Sequence, residues 1–261
     1  MKKLFFCAVA AAATFALTSC VSEDKDLAPN TNEAGKGYIA LNVTNDDALT
    51  TRTVQTVDDA STWTVSVSGT TNFSGTAAQL ATTPFSAGTG YTITASNYAD
   101  LAAALAANGG LGDAFYTGTS ESFEVTAGGT ATPSVACGTA KNARLTINAS
   151  AFDNITITSM TITAGAGSRI VEFPTTASTT VAYFKAGEEL TLAINYTAAD
   201  GAKSVTKPIA ALTAATANTI TLATNQNGLI NLTITYDDTF TEGTSATYTF
   251  DAATGDEVVT P

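Results

Sequence analysis

The chain has 261 residues, of which 11 are basic and 23 acidic, and its formal net charge is −12. Such an excess of acid argues against nucleic acid and against anionic lipid surfaces as partners, because both are recognised through clustered Lys and Arg. The absence of histidine excludes Ser-His-Asp and Cys-His catalysis and zinc sites built from His and Cys. Chemistry that uses carboxylates alone, and calcium sites with oxygen ligands, stay compatible with the composition.

The N-terminal segment has the layout of a secretion signal. Two lysines precede an uncharged apolar run, residues 4–16. This run is too short to span a bilayer as a helix, which needs about 20 residues, and it has the length of a signal-peptide core. The following Leu17-Thr18-Ser19-Cys20 resembles the lipobox of a bacterial lipoprotein precursor. The sequence therefore predicts a signal peptide over residues 1–19 and a mature chain that begins at Cys20 and carries lipid, of the palmitate type, on that residue.

Residues 20–36 are predicted to form a flexible acidic tether. Three acids lie within six residues of the lipidated cysteine, in the run VSEDKD at 21–26. This run resembles the acidic export signal of surface lipoproteins of the Bacteroidota type. A plain solvated linker is the alternative, because acidic tails are common. We therefore expect an outer membrane lipoprotein, exposed at the cell surface, whose membrane partner is the lipid bilayer reached through Cys20.

From residue 37 onward, apolar and polar residues alternate in one short segment after another. In GYIALNV at 37–43, for example, Ile39, Leu41 and Val43 share one face. Alternation with a period of two indicates strands with one buried and one wet face, and short strands separated by Gly, Asn and Asp predict an antiparallel β-sandwich. The predicted strands are 37–43, 62–67, 91–95, 122–126, 130–137, 143–149, 155–163, 169–173, 179–184, 189–196, 203–209, 219–223 and 229–236.

A repeated turn-and-strand pattern suggests that the fold has two halves. The glycine turns AGG at 127–129 and AGEE at 186–189 each lead into an alternating strand. We therefore predict an N-terminal β-sandwich domain over residues 37–140 and a C-terminal one over 141–261. One continuous fold is the alternative, because the repeat is weak.

One segment departs from the β pattern. Residues 100–107 read DLAAALAA, a run of strong helix formers. We expect one short helix here, capped by Ser96 or Asn97 and ended by the glycine pair at 109–110. A helix of this length needs to dock on the sheets to be stable. Its expected role is to cover a sheet edge, and the alternative is a binding loop.

Three aromatic residues around this helix form a candidate ligand-contacting patch. Tyr98, Phe115 and Tyr116 are the candidate contacts for carbohydrate, and ordinary packing of the helix on the sheet is the alternative.

Cys137 is left without a disulfide partner once Cys20 is lipidated, and without a histidine to activate it we expect a buried thiol. The acidic pairs lack the spacing of a calcium loop, so no metal site is predicted.

A series of motifs runs through most of the mature chain. It consists of PFSAGTGYTITAS at 84–96, AFYTG at 114–118, FEVTAG at 123–128, VAC at 135–137, KNARLTI at 141–147 and ITYDDT at 234–239. The series resembles an uncharacterised domain family of Bacteroidota surface lipoproteins close to the fimbrillin-like pilus and adhesin proteins of type V pili. The resemblance implies an all-β fold of two transthyretin-like or Ig-like sandwiches. Its motifs contain no catalytic residue.

The resemblance also implies a mode of assembly. In fimbrillins a protease cuts after an arginine near the N-terminus and removes the first strand, and a strand of the next subunit fills the groove by pairing with the open edge. The candidate cleavage residue here is Arg52, and the candidate donor strand is residues 246–250, ATYTF. The alternatives are a solvated loop arginine, a C-terminal strand that completes its own sheet, and a monomeric relative that never polymerises.

The sequence thus predicts a lipid-anchored, cell-surface structural or adhesion protein of fimbrillin-like type that is not an enzyme and needs no cofactor. Its expected partners are other pilus or surface subunits, carbohydrate or a host surface. The alternative function is a surface glycan-binding lipoprotein of a nutrient uptake system, with Tyr98, Phe115 and Tyr116 as contacts.

Overall fold

More than half of the described residues lie in strands, with only two short α-helices among them, which confirms the predicted all-β class. The computed structural model describes residues 34–44, 60–150, 155–165, 169–224, 229–235, 245–251 and 257–258. Within these residues there are nineteen strands and two short α-helices. Cys20 and Arg52 lie outside the described residues.

The N-terminal half contains ten strands in three groups. One sheet has the order β4-β3-β6-β7, and β8 also pairs with β6; a second has the order β5-β1-β9; and β2 pairs with β10. The strands are β1 Lys36–Ile39, β2 Asn42–Thr44, β3 Thr64–Ser68, β4 Phe73–Thr76, β5 Phe85–Ser86, β6 Gly88–Ser96, β7 Thr117–Thr119, β8 Phe123–Val125, β9 Thr130–Ala131 and β10 Ser134–Ala136.

The C-terminal half contains two larger sheets, with the orders β14-β11-β17-β18-β19 and β13-β12-β15-β16. The alternating residues on their inner faces form one shared core. The strands are β11 Asn142–Ala149, β12 Thr156–Ala164, β13 Arg169–Phe173, β14 Ser178–Lys185, β15 Leu190–Ala198, β16 Gly201–Ile209, β17 Ala217–Thr224, β18 Leu229–Thr235 and β19 Ser245–Asp251.

Two hydrophobic cores lie on either side of residues 141–142. The N-terminal core draws its buried residues from 39–140, and the C-terminal core draws them from 143–250. The alternation is regular in β11, where Leu145 and Ile147 are buried and Thr146 and Asn148 on the other face are partly exposed. The described residues from 34 onward nevertheless form one compact unit. The division into domains at residue 140 therefore stays a prediction.

Most pairs of the described strands are antiparallel, as the sequence predicted, and three pairs are parallel. They are β1–β9, β2–β10 and β11–β17. In each pair the partners are far apart in sequence, as parallel pairing requires, because the chain must cross back before it can run in the same direction. An alternating pattern identifies strands but carries no information about the direction of the partner.

The structure has two helices where the sequence predicted one. The predicted helix is present as α2, Leu101–Ala106, but its cap is Asp100, whose side chain accepts a hydrogen bond from the N–H of Ala103 at 2.8 Å. The expectation of Ser96 or Asn97 as the cap was therefore wrong. The second helix, α1, is the single turn Ala77–Leu80, which begins with a capping box between Thr76 and Gln79. In the described part of the chain, no helix is long and apolar enough to cross a membrane.

Candidate functional site

The N-terminal segment 36–44, which contains β1 and β2, runs alongside residues 129–137 in the same direction. Besides the ladder pairing of β1 with β9 and of β2 with β10, four backbone hydrogen bonds of 2.8–3.0 Å join the two segments, and their donors are Tyr38, Ala40, Asn42 and Cys137. On the other side, β1 pairs antiparallel with β5. The segment is therefore inserted between neighbouring strands of the N-terminal half and held mainly through its backbone.

One face of this segment packs into the N-terminal core. Ile39 is buried at 1% exposure, and Leu41 and Val43 are partly buried against the same core. The exposed residues alternate with them, as the sequence predicted. Gly37 has no room for a side chain, because a Cβ there would overlap the carbonyl of Thr126. The segment thus combines backbone pairing with side chains inserted at every second position. A strand that adds to a sheet edge makes the same pattern of contacts.

Loss of this segment would change the surface in two ways. The hydrogen-bonding groups that β5, β9 and β10 present to it would lose their partners, and the place of Ile39 in the core would be open. An extended strand with apolar residues at alternate positions meets both requirements, since an unpaired edge is a template for another strand. The segment that follows β2 contains Arg52, so a cut there would separate β1 and β2 from the rest of the chain.

The candidate donor strand, residues 246–250, lies within β19. It pairs antiparallel with β18 along its whole length, and Phe250 is buried in the C-terminal core at 4% exposure. The N–H of Val258 donates to the carbonyl of Thr249 at 2.7 Å. In this structure the C-terminal strand completes its own sheet, which is the alternative that the sequence left open.

The three predicted ligand contacts lie near one another but differ in exposure. The hydroxyl of Tyr98 donates to Asp113 Oδ2 at 2.8 Å. The pKa of Tyr98 is raised to about 12, mainly because the side chain is buried and further because of this hydrogen bond and the charge of Asp113. The phenol therefore stays protonated. Phe115 is partly buried, and Tyr116 is in the N-terminal core at 4% exposure. A carbohydrate contact at this patch stays a prediction, and Tyr98 and Phe115 are its accessible members.

Two asparagines hold the loop that carries these aromatic residues. The Asn97 amide donates to the carbonyl of Ala114 and accepts from the N–H of Tyr116, both at 2.8 Å. The Asn142 amide is fully buried; it donates to the carbonyl of Asp113 at 2.7 Å and accepts from the N–H of Phe115 at 3.0 Å. The sequence did not indicate either role, because nothing local marks an asparagine that bonds a loop 17 to 29 residues away.

Cys137 has the environment of a structural thiol. It is buried at 1% exposure, and its Sγ lies 3.8 Å from the carbonyl oxygen of Ala95. Burial raises the pKa of the Cys137 thiol to about 11, and the charge of Lys141 offsets part of this shift. Since the thiolate is the reactive form, the site has little nucleophilic character at neutral pH.

We expect Cys137 to resist iodoacetamide in the folded protein and to react once the chain is unfolded, in a protein whose Cys7 and Cys20 are replaced by Ala. Because folding raises the pKa of this thiol from 9.0 to about 11, its contribution to stability is complete below pH 9 and is lost as the pH rises through 11. Urea denaturation at several pH values should show this loss, and Cys137→Ala should lack it. Labelling of the native protein at the rate of the unfolded chain would contradict the prediction.

The described residues contain no group of three or more His, Cys, Asp or Glu side chains that could hold a metal ion.

A family model described as "Domain of unknown function (DUF4493)" matches residues 35–252. No curated protein matches the chain in sequence.

Several solved structures are similar to the chain at low sequence identity. A proposed cell adhesion protein from Bacteroides fragilis is 13% identical, with 80% of this chain and 99% of that chain covered and a TM-score of 0.39. A proposed cell adhesion protein from Bacteroides eggerthii is 11% identical, with 74% and 87% covered and a TM-score of 0.38. A fimbrial assembly protein from Parabacteroides distasonis is 11% identical, with 78% and 99% covered and a TM-score of 0.36. Likeness at this level does not establish a shared function.

Proposed function

The chain belongs to the DUF4493 family, and we propose that it is a non-catalytic structural or adhesion protein of fimbrillin-like type. It acts at the cell surface, anchored in the outer membrane by lipid on Cys20. The anchor is supported by the basic start, the short apolar run and the LTSC motif of the sequence. Its partners are other surface subunits, and the contact between subunits is made by strand addition.

The segment 36–44 carries this proposal. It is joined to 129–137 through the backbone, inserts Ile39 into the core, and precedes the segment that contains Arg52. A strand with these properties can leave after a cut and be replaced by a strand of a second subunit. The replacement forms the same kind of backbone hydrogen bonds, so the exchange costs little once the new strand supplies apolar residues at alternate positions.

The donor in this proposal is residues 246–250 of a neighbouring subunit. These residues pair with β18 in the single chain. Their release therefore breaks the pairing of β18 with β19 in the donor and exposes Phe250, which is buried there. Exchange is therefore expected to be slow until the acceptor groove is open. This dependence gives the cut at Arg52 the role of a trigger.

The test is the fate of the mature protein after treatment with a protease specific for arginine. We expect wild type to yield a species that begins at Thr53 and assembles into a ladder of oligomers, and Arg52→Ala to stay monomeric. Thr51→Ala is the matched control, since it changes the neighbouring residue and keeps the cleavage site. Intact mass and size-exclusion chromatography provide the measurement.

Two results would contradict the proposed assembly. One is oligomer formation that is equal in wild type and Arg52→Ala. The other is an intact monomer, still lipidated at Cys20, as the sole form on the surface of the native cell. The second result would favour a monomeric glycan-binding lipoprotein, for which Tyr98 and Phe115 are the accessible candidate contacts.

A further inference from the structure

Most edges of the C-terminal sheets are blunted or covered. On β16, Pro208 lacks an N–H and Lys207 forms an ion pair. The edge of β14 is covered where the N–H of Tyr183 donates to the carbonyl of Leu111 at 2.8 Å. Residues 257–258 lie against part of β19. Proteins protect sheet edges in these ways because an open edge pairs with other chains.

The edge of β13 differs from these. It pairs with β12 on one side, and within the described residues no backbone hydrogen bond is made to its other side. Ile170 is 63% exposed, the highest value among the large hydrophobic residues that the structure describes. Glu172 is also exposed, and it takes part in neither of the ion pairs found in the described chain. Five residues at about 3.3 Å each give an open edge of about 17 Å.

A cleft of about 780 Å³ lies along this edge. Its size falls in the range of natural ligand sites, about 300–1,000 Å³. One wall is formed by Ile170 to Pro174, and the other by Asn108 to Leu111. Gly109 and Gly110 have positive φ angles of 69° and 93°, and a Cβ at either would meet open space. The second wall therefore also presents backbone to the cleft.

Arg169 holds the second wall in place. One terminal nitrogen of its guanidinium donates to the carbonyls of Leu105 and Gly110, at 3.1 and 2.5 Å, and the other donates to the carbonyl of Tyr183 at 2.7 Å. The cleft is thus bounded on one side by the edge of β13 and on the other by the loop 108–111, which the hydrogen bonds of Arg169 hold in position. Such a groove is pre-organised for a narrow, extended ligand that offers backbone donors and acceptors to both walls.

We propose that the open edge of β13 is a strand-addition site for an extended peptide segment of a partner protein. An added strand has residues beside Ile170 and Glu172 on the outer face of the sheet, and its intervening residues point into the cleft with Val171. The ligand therefore carries a β-branched aliphatic residue beside Ile170 and a Lys or Arg beside Glu172. Its inward residues are small and uncharged, to fit beside Leu111 and Thr180.

The lining favours this occupant over two others. A second copy of this chain offers few basic residues, 11 Lys and Arg against 23 Asp and Glu, whereas Glu172, the single charged residue of the lining, favours a basic residue on the ligand. A sugar usually requires an aromatic ring to stack on, and the aromatic residue of the lining, Phe173, is 5% exposed. This site is separate from the place of β1 and β2 and does not depend on a cut at Arg52.

The test uses the mature chain, labelled with ¹⁵N, and short synthetic peptides that alternate Val with Thr and carry one Lys. We expect NMR shift changes at the amides of Ile170 to Phe173 and of Gly109 and Gly110. Ile170→Lys is expected to weaken binding about tenfold or more, since a lysine on an edge opposes strand addition. Thr206→Lys is the matched control on the opposite edge of the same sheet, and it should bind as wild type does.

A charge exchange keeps the test independent of the Ile170 variant. Glu172→Lys should lose the peptide with Lys and gain one in which Glu replaces that Lys. The proposal is overturned if millimolar peptide shifts no amide along β13, if Ile170→Lys and Thr206→Lys bind equally, or if the shifts appear at β5, β9 and β10. It is also overturned if the Glu172→Lys protein shows the same preference as wild type.

Discussion

Replacing Arg169 by Ala is expected to lower the free energy of unfolding by about 1.5–3 kcal/mol, the range for hydrogen bonds made by a charged donor. The guanidinium donates to the carbonyls of Tyr183, Leu105 and Gly110, and it lies 5.1 Å from the ring centroid of Phe184. Tyr183 and Phe184 belong to β14. Leu105 belongs to α2, and Gly110 belongs to the short turn that follows it. Arg169 therefore ties the 105–110 segment to a strand of the C-terminal half.

The Lys variant separates charge from geometry. Burial lowers the pKa of the Arg169 guanidinium and the charge of Glu188 opposes this shift, but arginine stays protonated in proteins. Arg169→Lys keeps a positive charge and loses the planar fork that reaches three carbonyls at once, so it should fall between wild type and Arg169→Ala. Lys185→Ala, which removes an exposed cation from the end of β14, is the control.

Urea denaturation gives the change in stability, and hydrogen exchange locates it. We expect the amides of residues 105–112 to exchange faster in Arg169→Ala than in Lys185→Ala, because the carbonyl anchors of that segment are lost. The Lys185 control should differ from wild type by less than about 0.5 kcal/mol, as is usual for exposed positions. An Arg169→Ala protein as stable as this control would show that the three hydrogen bonds contribute nothing measurable.

Strand positions could be predicted because their cause is local. The predicted segment 169–173 coincides with β13, and 143–149 differs from β11 by one residue. In β11 a period of two in the sequence is sufficient to identify which residues face the core. The helix α2 was also local, since a run of Ala and Leu favours no other structure as strongly. The sequence did not identify its N-cap, because Ser96, Asn97 and Asp100 all precede the helix and each has a side chain that can cap it.

Pairing partners could not be predicted, because they depend on contacts between distant residues. Arg169 and Leu105 are 64 positions apart, and nothing in the sequence near either residue indicates the other. The same holds for Asn142, which resembles any asparagine at the start of a strand until the loop that it holds is known. The parallel pairing of β11 with β17 likewise follows from the path of the whole chain.

The candidate site shows the same limit. The alternation in 37–43 gave the correct inner face, with Ile39, Leu41 and Val43 directed toward the core. It did not reveal that the segment lies alongside 129–137. The exposed edge at β13 was not anticipated either, because exposure of Ile170 depends on which neighbours the edge lacks.

Replacing Ile39 by Ala is expected to lower the free energy of unfolding by about 2–5 kcal/mol, the usual cost of truncating a buried aliphatic residue. Ile39 is 1% exposed and is the one fully buried large side chain of the segment 36–44. The amides of Tyr38, Ala40 and Asn42, which bond to residues 129–133, should exchange faster with solvent. Asn42→Ala, at an exposed position of the same segment, is the control and should change stability by less than about 0.5 kcal/mol.

The same substitution should act differently once the chain is cut after Arg52. In the intact protein a released segment is still tethered beside its groove, so it rebinds at a high effective concentration. After a cut, the segment is retained by its backbone pairing, by the burial of Ile39 and by the partial burial of Leu41 and Val43. Each 1.4 kcal/mol lost from the burial of Ile39 speeds dissociation of the segment about tenfold. We therefore expect cleaved Ile39→Ala to release the segment and form oligomers faster than cleaved wild type, with cleaved Asn42→Ala matching wild type. Equal rates in all three would mean that the segment does not limit exchange, and that the groove it occupies is not where a partner strand enters.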